Sequence, residues 1–235
     1  MLGSDLFWLD WYSGGAVLPM RVSQQYSRAE RLSDAIVHLT GIAAAVIAAP
    51  VLVLLAWVWF GDVGTVTAAA VYAVSLLAML VCSALYNMMP HPAWRDRLRR
   101  VDQSAIYMKI AGSYTPFAIL AGSQTWGFLA GIWGGAIAGA VLILFGPASL
   151  RRPSFLFYLA LGWAVVVLGR PLLDGLSGTG LHLVMAAGIL YTVGVLFLLW
   201  ERLPHHNTVW HVFVLIASAT VYGAVVVEFA GRAIG

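Results

Sequence analysis

The chain has 235 residues, of which 61% are hydrophobic and only 10% charged. Soluble domains carry about 45–50% apolar residues and about a quarter charged, so this composition excludes a water-soluble globular protein and points to a polytopic membrane protein. The formal net charge of +3 comes from arginines gathered in a few loops, with no basic patch interleaved with aromatics, so nucleic acid is excluded as a partner. The single cysteine, Cys82, lies in an apolar run and offers neither a disulfide framework nor a thiolate metal site.

In chain order, residues 1–34 read as a cytoplasmic or interfacial N-terminal segment. Its first twenty residues lack a basic start and carry Asp5 and Asp10, unlike a cleaved signal peptide. Phe7, Trp8 and Trp11 suit a stretch lying in the membrane interface; a poorly ordered tail is the alternative reading. Seven apolar stretches follow, at about 35–59, 65–87, 104–122, 126–146, 154–170, 179–200 and 208–230, each near the roughly 20 residues that a membrane span requires. The expectation is an all-α fold with seven transmembrane helices over residues 35–235.

An odd number of spans places the termini on opposite sides. Arg21, Arg28 and Arg31 precede the first span, Arg95, Arg97, Arg99 and Arg100 follow the second, Arg151 and Arg152 follow the fourth, and Arg202 follows the sixth. Only Arg170 and Arg232 fall on the other side. Arginine marks the cytoplasmic face, so the N-terminus is expected inside and the C-terminus outside. The fourth span carries Gly127, Gly131, Gly135 and Gly139 at four-residue spacing, a ladder that allows close helix approach within the bundle or between two copies in a homo-oligomer.

This orientation gives the polar residues inside the spans a depth. His38 opens the first span, Ser83 and Asn87 close the second, Asp102 and Gln103 open the third, and Asn207 and His211 open the seventh. All lie near the cytoplasmic end, and Ser83/Asn87 and Asn207/His211 are i, i+4 pairs that each share a helix face. Any one could be an interfacial residue wetted by headgroups, but the outer ends carry no comparable set. There His182, Asp174 and Glu228 read as ordinary interfacial residues; near the inner surface, in loops or at a helix entrance, His91, His205 and His206 read as solvated surface histidines.

The only lysine, Lys109, falls within the third span, seven residues after Asp102 and on the same face, about 10 Å further along the axis. Charges inside apolar helices are costly and mark functional positions. Helical side chains lean toward the N-terminus of their helix, so Lys109 either pairs with Asp102 or snorkels toward the inner surface.

Four stretches, "ERLSDAIVHLTG" (30–41), "SALYN" (83–87), "LRRVDQSAIYMKIAGSYTPF" (98–117) and "NTVWHVFVL" (207–215), with "GILYTVG" (188–194) between the last two, resemble the haemolysin III family, the bacterial branch of the progestin and adipoQ receptor superfamily. The resemblance runs from about residue 26 to the C-terminus and implies seven helices with the N-terminus inside, hence a bacterial inner membrane. It also implies a zinc ion near the cytoplasmic face, held by one histidine ending the second span and two opening the seventh, with an aspartate beside the metal-bound water. At the matching positions this chain has Asn87, Asn207 and His211, with Asp102 as the aspartate. Ser83 and His38 also match, whereas Gln103 stands where a histidine often follows the aspartate. An amide oxygen is a weak zinc ligand, so the three-histidine site does not carry over; a metal here would rest on His211, with Asp102 and His38 as further candidates.

Three functions are compatible with this reading. The first is a role in membrane lipid homeostasis, with a lipid or fatty acid bound in the bundle. The second is metal-dependent hydrolysis of lipid amides, as the resemblance implies, with Asp102 as general base and Ser83 stabilising the oxyanion. The third is a pore or channel, for which the sequence offers no filter-like motif.

Overall fold

The computed structural model describes residues 27–89, 91–147 and 154–234. The interfacial reading of Phe7, Trp8 and Trp11 and the arginines at 21, 151 and 152 lie outside them. The described residues are helical, without strands: α1 (Arg28–Trp59), α2 (Val63–Met88), α3 (Pro92–Ala121), α4 (Trp126–Phe145), α5 (Ser154–Leu168), the short α6 (Arg170–Asp174), α7 (Gly178–Leu199) and α8 (His206–Ile234), with one 3-10 turn at Ser123–Thr125.

Five of these elements are long and apolar enough to cross a membrane: α1, α2, α4 with its preceding turn, α7 and α8. The α5 helix is apolar but only 15 residues long, and α3 begins with the charged stretch "RDRLRR". Large apolar side chains cover the outside, Ile47, Val58, Trp126 and Val167 among them. Such a surface suits lipid rather than water.

Helix ends are closed by specific groups. At the start of α1, Ser27 Oγ accepts from Glu30 N at 3.1 Å and Glu30 Oε2 accepts from Ser27 N at 2.8 Å, a capping box. Asp62 Oδ1 caps α2 by accepting from Thr65 N at 2.9 Å, and this backbone bond holds the Asp62 carboxyl below its usual range. Arginines satisfy carbonyls at the opposite ends: Arg100 donates to Leu144 O at 2.8 Å, and Arg232 donates to Leu120 O and to Gly175 O.

Consecutive helices pack side by side from α1 to α4 and again from α7 to α8, and α8 returns to α1. The bundle closes around α3, which touches α2, α4, α5, α6 and α8. Small residues allow these approaches. A Cβ at Gly139 would lie 2.6 Å from the Tyr107 ring, and one at Gly112 would lie 2.1 Å from Ser75 Oγ. The glycine ladder of α4 therefore divides: Gly139 and Gly135 face Tyr107 and Leu161 inside the bundle, while Gly127 and Gly131 face open space.

Glu228 departs from the interfacial reading. Although it stands at the far end of α8 from His211, it is buried, and its Oε1 accepts from Ser177 N at 2.9 Å and from Ser177 Oγ at 2.6 Å. Ser177 in turn caps α7 through Gly180 N. The carboxylate thus ties α8 to the start of α7. His182 and Asp174 are exposed, as expected of interfacial residues.

Candidate functional site

Three helix ends converge on one buried polar cluster. From α1 come Asp34 and His38, one helical turn apart on a shared face. Ser83 and Asn87 come from α2, and Asn207 and His211 from α8. Asp34 Oδ1 lies 2.6 Å from His211 Nδ1, and its Oδ2 lies 3.5 Å from His38 Nε2 and accepts from Asn207 Nδ2 at 3.4 Å. The His38 and His211 rings sit 4.3 Å apart, tilted by 56°. Asn207 Nδ2 also donates to Asn87 Oδ1 at 3.1 Å, and Asn87 Nδ2 donates to Ser83 O at 2.9 Å. Ser83 Oγ lies 3.5 Å from His211 Nε2.

The Asp34 carboxylate orients the His211 ring. A carboxylate only accepts, so Nδ1 carries a proton, and in the neutral imidazole Nε2 then carries the lone pair that faces Ser83. Asp102 of α3 faces the same Ser83 hydroxyl.

Of the residues singled out in the sequence, His38, Ser83, Asn87, Asn207 and His211 are brought together, with Asp102 beside them. Asp34 is the centre of the cluster and was assigned to the N-terminal segment by the sequence pattern; its signal was its i, i+4 spacing to His38. Gln103 stands apart from the cluster, its buried Oε1 without a hydrogen-bond partner, while its backbone carbonyl accepts from Tyr158 OH at 3.3 Å.

Lys109 forms no ion pair with Asp102 among the described residues, and it is buried rather than extended to a surface. Its ammonium donates to Tyr191 OH and lies 4.3 Å from the centre of the Tyr191 ring. Tyr191 OH continues to Ser218 Oγ at 2.8 Å, and Tyr72 OH donates to Ser218 O at 3.4 Å. Tyr191 and Ser218 complete a second buried polar chain that the sequence reading did not single out.

Two of the supposed surface histidines are also structural. His206 is buried. His205 adopts a left-handed backbone with φ 59°, where its N donates to Glu30 Oε1 at 3.2 Å and its Nδ1 lies 2.9 Å from Ser33 Oγ. These contacts join the starts of α8 and α1. His91 is exposed, as expected.

Asp34, His38 and His211 each offer a donor atom, all within 4.8 Å of one another, and this is a donor set that zinc accepts. Its geometry is not a zinc cage. Donors at 2.0–2.2 Å around a tetrahedral ion lie about 3.3–3.6 Å apart, whereas Asp34 and His211 are at hydrogen-bond distance and occupied with each other. The three-histidine arrangement is absent as well, since Asn87 and Asn207 bond to each other where two imidazoles would stand. The residues as arranged do not fit the zinc that the family resemblance implies.

Between the helices lies a cavity of about 170 Å³. Ser83, Asp102, Lys109 and His211 are among its polar residues, with Ser113, Tyr191 and Thr192, and the wall is otherwise mostly apolar, Phe117 and Leu172 among it.

Comparison with known proteins places the chain in a family. Residues 27–222 match the family described as Haemolysin-III related. The chain is 38% identical to Hemolysin-3 of Bacillus cereus over 82% of its length and 89% of the relative's. It is 34% identical to the Hemolysin-3 homolog of Bacillus subtilis over 82% of its length and 91% of the relative's. A more distant match, 27% identical over 66% of this chain and 67% of the relative, is the human Monocyte to macrophage differentiation factor. The chain is a multi-pass membrane protein and belongs to the haemolysin III family.

Proposed function

We propose that the protein binds an acyl lipid or fatty acid within its helical bundle and acts in membrane lipid homeostasis. The observation that carries this reading is the cavity, whose walls are mostly apolar and whose lining includes Lys109. An amphiphile with an acyl chain and an oxygen-rich head complements both parts, because burying the chain is favourable by about 0.8 kcal/mol per methylene and an ammonium binds carboxylate or ester oxygen.

In this reading the chain crosses the bacterial inner membrane seven times, with α3 and α5 as the additional spans. The N-terminus is cytoplasmic and the polar cluster lies near the cytoplasmic face. Support comes from the arginine distribution and from the alternation of consecutive helices. A reporter fused after Gly235 should report the periplasm, and cytoplasmic signal would overturn the orientation.

Displacement of a fluorescent fatty acid from the detergent-purified protein tests the binding reading. Saturable displacement by long-chain fatty acids, weakened by Lys109→Met, is the expected outcome. Absence of saturable binding would overturn it.

A further inference from the structure

We propose that Ser83, His211 and Asp34 form a metal-independent serine nucleophile that cleaves the ester bond of an acyl lipid in the cavity. This deepens the lipid-binding reading and rests on it, since the acyl group must reach Ser83 through that cavity.

The first support is the chain of contacts. Asp34 Oδ1 to His211 Nδ1 is 2.6 Å and His211 Nε2 to Ser83 Oγ is 3.5 Å. A carboxylate that orients an imidazole, whose free nitrogen faces a hydroxyl, is the arrangement by which a neutral serine is activated. The outer distance is long, but such hydrogen bonds tighten when substrate is bound.

The second support is the direction of the Ser83 hydroxyl. Ser75, Ser104, Ser113 and Thr115 all donate their hydroxyl to a backbone carbonyl three or four residues earlier. This is the usual resting place for a hydroxyl in a helix. The contacts of Ser83 Oγ instead run to His211 and to Asn87 Nδ2 at 3.5 Å, with Asp102 of α3 facing the same hydroxyl, and Ser83 borders the cavity. Its hydroxyl is therefore presented to whatever occupies that space. The Asn87 amide, already bonded to Ser83 O, has a second N–H directed toward the same region and can donate to oxygen that becomes negative beside Ser83.

The reaction balances with water as the only co-reactant. Ser83 Oγ bonds to the ester carbonyl carbon while its proton passes to His211 Nε2. The carbon–oxygen bond to the alcohol then breaks, and His211 returns the proton to the departing alkoxide. Water attacks the acyl-Ser83 ester by the same route, releasing the fatty acid and restoring the hydroxyl. Asp34 touches no reacting atom and acts as a positioning residue for His211.

The test uses the purified full-length protein with a long-chain alkyl fluorophosphonate and a chelator present. Attack forms the bond from Ser83 Oγ to phosphorus and expels fluoride, and the adduct is located by peptide mass spectrometry. A single adduct on Ser83, unaffected by chelation, is expected. Asp34→Asn should slow the maximal labelling rate by about a hundredfold or more without raising the half-saturating probe concentration, and Asp34→Glu should restore part of the rate. No adduct on Ser83, or labelling that stops on chelation and returns with zinc, would overturn the proposal. Fatty-acid displacement is read in the same preparation. Absent labelling with intact displacement overturns the nucleophile alone, and loss of both overturns the binding reading too.

Discussion

Lys109 and Tyr191 form a buried cation–hydroxyl pair across α3 and α7, the ammonium donating to the phenol oxygen and lying 4.3 Å from the ring centre. The charge thus has an acceptor and an aromatic face, but no carboxylate within ion-pair distance among the described residues. Tyr191→Phe removes the acceptor and should lower stability in detergent by about 1–3 kcal/mol, the cost of an unsatisfied buried group. Lys109→Met in the same background should recover much of that loss. The two positions should couple by at least about 0.5 kcal/mol, whereas Lys109→Met and Asp102→Asn should add. Thermal unfolding of the single and double variants measures both.

Metal content is the next expectation. Purified protein should hold well under one zinc per chain, because Asn87 and Asn207 occupy each other and Asp34 occupies His211. The double substitution Asn87→His, Asn207→His should raise zinc to near one per chain with His211. Elemental analysis decides the matter, and stoichiometric zinc in the unsubstituted protein would mean that Asp34 and His211 part to admit the ion.

How much of this site the sequence disclosed depended on where α1 begins. The i, i+4 pairs Ser83/Asn87 and Asn207/His211 were legible because both sit in runs whose apolar period is clear. Asp34 was not, because the arginines and Glu30 around it depress the local hydropathy and the span was drawn from residue 35. The capping box of Ser27 and Glu30 starts the helix two turns earlier and brings Asp34 into register with His38. The Lys109 partner was missed for a different reason. Tyr191 lies 82 residues away, and only the packing of α3 near α7 decides between it and Asp102. The helical class, by contrast, followed from composition and the length of the apolar runs.

The two halves of the α4 glycine ladder should behave differently. Gly139→Leu should disrupt the fold, since even a Cβ would lie 2.6 Å from the Tyr107 ring. Gly127→Leu and Gly131→Leu meet open space and should leave thermal stability within about 0.5 kcal/mol. If that outer face serves a homo-oligomer, these two variants should shift the size distribution on gel filtration without unfolding the protein.

At the other end, Gly180 and Glu228 are matched in shape. A Cβ at Gly180 would lie 1.9 Å from Glu228 Oε1, so Gly180→Ala must displace the carboxylate from Ser177. We expect a loss of about 1–3 kcal/mol, as for other overpacked sites. Combining Gly180→Ala with Glu228→Ala should cost less than the sum of the single changes. Additivity in thermal unfolding would refute the steric link.

The bond between Asp34 and His211 joins residues 177 positions apart. At translation rates of about 5–20 residues per second, their codons are read roughly ten to thirty-five seconds apart. Throughout that interval the first helix carries a carboxylate intended for a dry interior, and its partner has not yet been synthesised. A chain halted before the last helix has only the neighbouring His38 to set against it, so incomplete molecules keep exposed a polar group that finished ones conceal. The same contact that orients the imidazole is thus one that only a completed chain can make.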